Sequence, residues 1–326
     1  MLANNNEAII NKLAKNSVKT NKKQYAILFF TIILSAFMLF CVFTIGMTYL
    51  DSSRLQNTRL NGAEYDILTM NGFTSEQLNT LRQNENIRSV GIESYAGFIQ
   101  STEYDKTVEI GLLWCDEVFW DNLMSPARTK LDGHYPQNKN ELMVTKDILK
   151  TCGNENLSVG DSLILTYENN TGVYTDEFII SGIWDGYGDT SAGFVSKAFY
   201  DETGYDLKND GILCIKLNRN YVFPATIQSI EKSLDFSDRQ IFAPTGYIEN
   251  SFKLLLGICG LALVICLSAY LLIYNILYLS VSGKIRYYGL LQSLGMTKKQ
   301  LLRFITKQML FIAIAGIFIG NLLGIL

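Results

Sequence analysis

One histidine, four prolines and six cysteines serve a chain of 326 residues. With a single histidine, His134 in LDGHYPQNKN, a metal centre built from histidine clusters is ruled out, and no Cys-x-x-Cys pair replaces it. His134 has no identifiable triad partner and sits in a polar turn beside Pro136, so it reads as a loop residue. A G-x-x-x-x-G-K-[ST] phosphate loop is missing too. The one Gly-Lys pair, Gly283-Lys284, is followed by Ile285, and Tyr278 stands where the first glycine belongs. ATP is therefore not bound through that device. No catalytic constellation, cofactor motif or metal site can be assembled, and scattered aromatics give no support for nucleic-acid binding. The acids Asp185, Asp189, Asp201 and Glu202 read as a solvated face rather than a calcium site.

Charge is absent from three long stretches. Residues 25–50, 254–283 and 309–326 contain no charged side chain, over 26, 30 and 18 positions. About 20 apolar residues cross a bilayer core, so the pattern predicts three transmembrane helices. A cleaved signal peptide would need a shorter apolar core and a small-residue cleavage site. The first run is longer than that and follows a 24-residue polar tail.

Acids are missing at both ends. Residues 1–24 hold five lysines and one acid, Glu7, and residues 282–326 hold six basic residues and no acid. Residues 51–251 carry 30 acidic against 16 basic side chains, a net charge of −14. Lysine and arginine are retained on the cytoplasmic side of a membrane. Both basic blocks are then expected inside and the acidic segment outside, in a multi-pass membrane protein. Cys41, Cys259 and Cys266 fall in the spans as small apolar residues. Cys115, Cys152 and Cys214 fall outside, an odd number that leaves room for one bridge but defines no disulfide framework.

The expected organisation is a cytoplasmic amphipathic helix (1–24), a first span (25–50), an extracytoplasmic α+β domain (51–251), a second span with a stalk (252–283), a cytoplasmic loop (284–303) and a third span (304–326). In the first segment Ile9, Ile10, Leu13, Ala14 and Val18 recur at helical spacing opposite lysines. That is the pattern of a helix lying on the inner leaflet, with a disordered basic tail as the alternative. The external domain opens as strand–helix–strand (EYDILTM, TSEQLNTLRQNEN, IRSVGIESYAGFIQ), with Thr74 and Gln77 spaced as a capping box. It closes with a similar unit (GILCIKLN, PATIQSIEKSLDF, DRQIFAPTG). The two halves bracket a β-rich insertion at about residues 103–209, in which ENNTG marks a hairpin turn between alternating strands.

Between the second and third apolar runs lies RYYGLLQSLGMTKKQLLRF, residues 286–304, with four basic residues and no acid. Leu290, Leu291 and Leu294 form an apolar face on a short helix, Gly295 ends it, and Thr297 with Gln300 caps the next one. The face suits docking of a partner; an ordinary basic loop is the alternative. In the third run Gly316, Gly320 and Gly324 form a small-residue ridge. Such a ridge permits close helix packing, either within the chain or with a second copy. The spans hold no buried ion pair or proton-relay carboxylate of the kind that marks a secondary transporter.

This layout resembles the FtsX-like permease family, the MacB-type membrane subunits of ABC transporters. Arg286, Gly289, Leu290, Leu291, Leu294, Gly295, Thr297 and Gln300 fall on the hallmark that follows that family's second span, with Met296 inside it. NKLAKNSVKTNKKQYAILFFTIILSAF is similar to the family's N-terminal helix and first span. DGHYPQNKNELMVTKDIL, LSVGDSLIL and FIISGIW resemble motifs of its periplasmic core domain. The resemblance implies a non-catalytic subunit driven by a separate cytoplasmic ABC ATPase that docks on the short helix, and pairing with a second permease half or copy. It implies mechanotransmission to an external domain that handles a peptide or lipid substrate, with membrane lipid as the surrounding partner. The family has at least a fourth span, so the chain is expected to be a permease truncated after the third. An external sensor held between two spans, without transport, is the competing reading.

Overall fold

A computed structural model describes residues 7–20, 22–100, 110–187 and 192–325. Asp189 and the start of the expected insertion lie outside this set, as does the side chain of Ile9. In chain order come α1 (Glu7–Thr20) and α2 (Lys22–Asn61), then β1 (Ile67–Met70), α3 (Ser75–Gln83), β2 (Ile87–Ile99) and β3 (Ile110–Cys115). Next are β4 (Arg128–Gly133), β5 (Glu141–Thr145), α4 (Lys146–Thr151), β6 (Ser162–Asn169), β7 (Gly172–Gly186) and β8 (Ala192–Val195). Then follow α5 (Lys197–Tyr200), α6 (Leu207–Asp210), β9 (Ile212–Leu217), α7 (Pro224–Lys232) and β10 (Ile241–Pro244). Three helices close the chain: α8 (Gly246–Ser282), α9 (Ile285–Ser293) and α10 (Lys298–Ile325). The chain divides into a sheet unit, Leu50–Leu254, and a helical unit made of the residues up to Tyr49 and from Leu255 onward.

Among the described residues, three helices are long and apolar enough to cross a membrane: Tyr25–Asn61, Gly246–Ser282 and Lys298–Ile325. The protein is a membrane protein. The first two helices have 37 residues each in these segments. At 1.5 Å per residue that is about 55 Å of helix, against about 30 Å of hydrocarbon. The helix of the first span does not stop at Leu50 but continues to Asn61, because 51–61 holds no proline and no glycine that would break it.

The sheet unit is built on one ten-stranded mixed sheet, ordered β10-β1-β9-β2-β3-β8-β5-β7-β4, with β6 paired to β2 and β7. The outer halves supply β10, β1, β9 and β2, antiparallel throughout. The strands of the expected insertion do not stand as a separate sheet. They extend this one, because β2 is long enough to pair with β9 through residues 87–93 and with β3 through residues 93–99. A bulge between Tyr95 and Gly97 bends β2, so that Phe98 and Ile99 also reach β6. Gly97 has φ +155, and a Cβ there would lie 2.7 Å from the Glu168 carbonyl, so the approach of β6 requires glycine.

Both sheet faces are covered. Along β5, Leu142 and Val144 join one buried cluster and Met143 the other; along β9, Leu213, Ile215 and Leu217 join the first and Cys214 the second. This two-residue alternation places the larger aliphatic core on one face and an aromatic core on the other, where Trp120, Trp184 and Phe194 meet at ring distances of 5.3 and 5.6 Å. Strands buried on both faces carry near-continuous apolar runs, which accounts for ELMV and ILCI. The capping box at Thr74 and Gln77 forms, with both reciprocal hydrogen bonds, and the ENNTG turn joins β6 to β7 with Asn169 Oδ1 accepting from the Thr171 and Gly172 amides. All six cysteines are free thiols.

On the Cys214 side of β9, Lys216 is 4 % exposed. Its amine lies 3.1 Å from Glu64 and 3.3 Å from Asp66, and Glu64 also meets Arg54 at 3.6 Å. Burial raises the Asp66 carboxyl, while Lys216 and the Leu217 amide pull it the other way. Removing one partner of such a network strands the other charge. Lys216→Met should therefore cost on the order of 3–5 kcal/mol, and Asp66→Leu in the same chain should recover much of it, read by thermal melts of the detergent-purified protein. A second titration sits opposite Cys115 in the β2–β3 register, where burial pushes Glu93 from 4.5 to about 7. The folded chain holds this proton more tightly than the unfolded one, so the stability it contributes is present below pH 4.5 and lost as pH rises through about 7. Glu93→Gln should leave the melting temperature unchanged near pH 4 and raise it by about 5 °C near pH 8.

Candidate functional site

The segment 284–303 folds as two helices joined by a defined break. α9 ends in a left-handed glycine: Gly295 has φ +98, its amide donates to the Gln292 carbonyl at 3.0 Å, and the Met296 amide donates to Leu291 at 3.1 Å. These are the two bonds of a Schellman termination. Two residues later Thr297 opens α10 with a capping box: the Thr297 amide donates to Gln300 Oε1 at 2.9 Å and the Gln300 amide to Thr297 Oγ1 at 3.3 Å. Each helix end is satisfied by its own local groups.

Leu290 and Leu291 of α9 and its C-cap residue Leu294 do not share one face. Leu290 is 60 % and Leu294 77 % exposed, whereas Leu291 packs against a buried cluster of Ile10, Ala14, Tyr288 and Phe304. At 100° per residue Leu291 stands well round the helix from Leu290, and α1 and α10 cover that side. The exposed stripe runs instead through Tyr287, Leu290 and Leu294, flanked by exposed Arg286. Gly289 lies beside Leu290, and a Cβ there would meet nothing within 4 Å. Met296 is half-buried and Thr297 exposed. Tyr287 was not singled out from the sequence, although its spacing of three from Leu290 and seven from Leu294 places it on the same stripe.

α1 also differs from the expectation of a helix lying on lipid. Ile10 and Ala14 are buried against Tyr288 and Phe304, so its apolar stripe is occupied by protein. Four-residue spacing gives α1 a narrow ridge that fits along α10, while Lys12 and Lys15 remain exposed.

The glycine ridge of α10 lies on α2 of the same chain. A Cβ at Gly316 would come 2.8 Å from Ile32, one at Gly320 would come 2.6 Å from the Ile33 carbonyl and 2.7 Å from Ala36, and one at Gly324 would come 2.3 Å from the Phe40 ring. Elsewhere, His134 Nδ1 lies 3.0 Å from the Tyr135 carbonyl on an exposed turn. Asp201 pairs with Lys197 and Glu202 with Lys139. Among the described residues no group of three histidine, cysteine or acidic side chains could hold a metal ion.

The segment containing the α9–α10 break matches one family model, FtsX-like permease C-terminal, over residues 259–326. Curated protein sequences give no match. Among solved structures, the chain is similar to the periplasmic region of MacB from Actinobacillus actinomycetemcomitans, at 13 % identity over 60 % of this chain and 95 % of that one, with a TM-score of 0.39. It is similar to a domain of a putative permease protein from Porphyromonas gingivalis, at 10 % identity over 56 % and 88 %, with a TM-score of 0.35. It is also similar to the extracellular domain of the noncanonic ABC-type transporter YknZ from Gram-positive bacteria, at 12 % identity over 55 % and 98 %, with a TM-score of 0.35.

Within residues 259–326 the glycines differ in what they allow. Gly320→Ala should lower the melting temperature by several degrees, because the new methyl meets a backbone carbonyl that has no room to move. Gly324→Ala should cost less, since the Phe40 ring can turn. Gly289→Ala, in open space on a helix, should be neutral or stabilising by about 0.5–1 kcal/mol.

Proposed function

We propose that this permease is the membrane subunit of an ABC-type transporter of the FtsX/MacB kind, and that a separate cytoplasmic ATPase docks on α9. The observation that carries this reading is the exposed stripe Tyr287–Leu290–Leu294. It lies on a nine-residue helix between two membrane-crossing helices, inside the segment that matches the family model. Large apolar side chains exposed on a helix that is itself anchored from behind are the arrangement a helix-in-groove contact uses. The basic side chains around it (Arg286, Lys298, Lys299, Arg303) favour the cytoplasmic side, and the net charge of −14 over residues 51–251 favours an extracytoplasmic sheet unit. ATP-driven movement of α9 is passed along α8, whose first residues belong to the sheet unit, and that unit handles a peptide or lipid substrate outside. The subunit works with a second permease half or copy and does no chemistry of its own.

The stripe and its neighbour separate docking from folding. Leu290→Glu with Leu294→Glu should cut co-purification of the ABC ATPase that the wild-type chain retains by tenfold or more while leaving the melting temperature unchanged. Leu291→Ala should do the reverse, lowering the melting temperature through lost packing. Retained ATPase binding by the double glutamate variant would overturn the assignment of α9.

A further inference from the structure

The helical unit holds a polar cluster that docking of an ATPase on α9 does not use. Tyr25 opens the first charge-free run, and its hydroxyl donates to Gln308 Oε1 at 2.7 Å. Gln308 is 1 % exposed, and its Nε2, which carries two protons, meets no hydrogen-bond acceptor. Lys284 stands between α8 and α9 with its amine 5.1 Å from the centre of the Tyr25 ring. That amine too is shielded from solvent and meets no acceptor. Burial pulls the Lys284 pKa down.

Two buried nitrogen donors gathered around one tyrosine, one of them a cation, call for an anion. A buried donor left unmatched is costly, and more so when it is charged. The helical unit has almost nothing to offer in return. The residues up to Tyr49 and from Leu255 onward carry eleven basic side chains and one acid, Glu7. The missing charge has to come from outside the unit. All three residues stand at ends of charge-free runs that border the basic blocks, the level at which phospholipid phosphates lie.

We propose that Lys284, Gln308 and Tyr25 form a seat for the phosphate of an anionic phospholipid in the adjoining leaflet. The Lys284 amine rests on the Tyr25 ring through a cation–π contact. A charge-assisted bond to a phosphate oxygen is stronger, and the flexible four-carbon stem of this half-buried residue lets the amine swing to it. Gln308 Nε2 donates to a second oxygen, while the Tyr25 hydroxyl holds the amide in place. Because the cluster ties the start of α2 to the α8–α9 junction and to α10, the bound lipid braces the three helices.

The test uses the full chain purified in detergent, with phosphatidylglycerol, phosphatidylcholine and inorganic phosphate as probes. Lipid retention is read by native mass spectrometry and stability by thermal melting. The wild-type chain should retain phosphatidylglycerol and melt higher in its presence, with little response to phosphatidylcholine or inorganic phosphate. Lys284→Met and Gln308→Leu should each reduce retention threefold or more, and Lys284→Arg should keep it. Removal of two exposed lysines together, Lys298→Met with Lys299→Met, should leave it unchanged. Equal loss in that control pair would show diffuse attraction to basic residues and overturn the seat. An equal response to phosphatidylcholine would overturn the requirement for net charge, and an equal response to inorganic phosphate would overturn the lipid as its source. If Lys284→Met fails to fold, Gln308→Leu reads the same cluster with the charge intact, and unchanged retention by that variant overturns the proposal.

Discussion

The amine of Lys216 is the point on which the sheet unit turns. It lies between Glu64 and Asp66, in the short segment that follows α2, and it projects from β9 in the middle of the outer half of the sheet. Asp66 then makes three further hydrogen bonds, two to β9 and one to the turn before α8. Its carboxylate accepts from the Leu217 amide at 2.9 Å, its amide donates to Ile215 at 2.9 Å, and its carbonyl accepts from Thr245 at 2.8 Å, one residue before α8 begins. One residue thus links the segment leaving α2, the strand beside it and the turn leading into α8. Burying an ion pair is an expensive way to make such a joint, since apolar side chains of the same volume often hold as well. What the charges add is register, because a shift of β9 by one residue would turn the lysine to the other face.

The helical unit is held by a different principle. It has few polar contacts and packs by close approach: Gly316 and Gly320 on α2, Gly46 on Ile258 of α8, and the Ile10–Ala14 ridge of α1 on α9 and α10. In lipid the hydrophobic effect does not drive helices together, so dispersion across well-fitted surfaces takes its place. This leaves the few polar groups, Tyr25, Lys284 and Gln308, conspicuous against their surroundings.

Much of this was legible in the residues, and the reasons differ from element to element. The spans follow from uncharged runs alone, because a bilayer imposes a length. The capping boxes at Thr74 and Thr297, the stop at Gly295 and the turn after Asn169 are local chemistry over three or four residues. Long-range choices were not legible. Nothing in LSVGDSLIL or FIISGIW says that their strands continue the sheet begun by residues 67–99, since pairing depends on the bulge at Tyr95–Gly97 in another strand. Lys216 looks like any alternating polar residue until Glu64 and Asp66 are brought to it. The exposed stripe differs from the expected one by a position: Leu290, Leu291 and Leu294 are indistinguishable as leucines, and only the packing of α1 and α10 separates Leu291 from the other two.

The glycine ridge of α10 carries a consequence for how this protein can change over time. Where Gly320 meets the Ile33 carbonyl and the Phe37 amide, the spacing of two helices is set by main-chain atoms, which every residue shares. Side chains elsewhere on α2 and α10 can then be exchanged among apolar types without moving one helix against the other. The lipid-facing surface is free to drift toward whatever bilayer the cell makes, while the geometry between the helices stays fixed at Gly320, a position that has no side chain to mutate gradually.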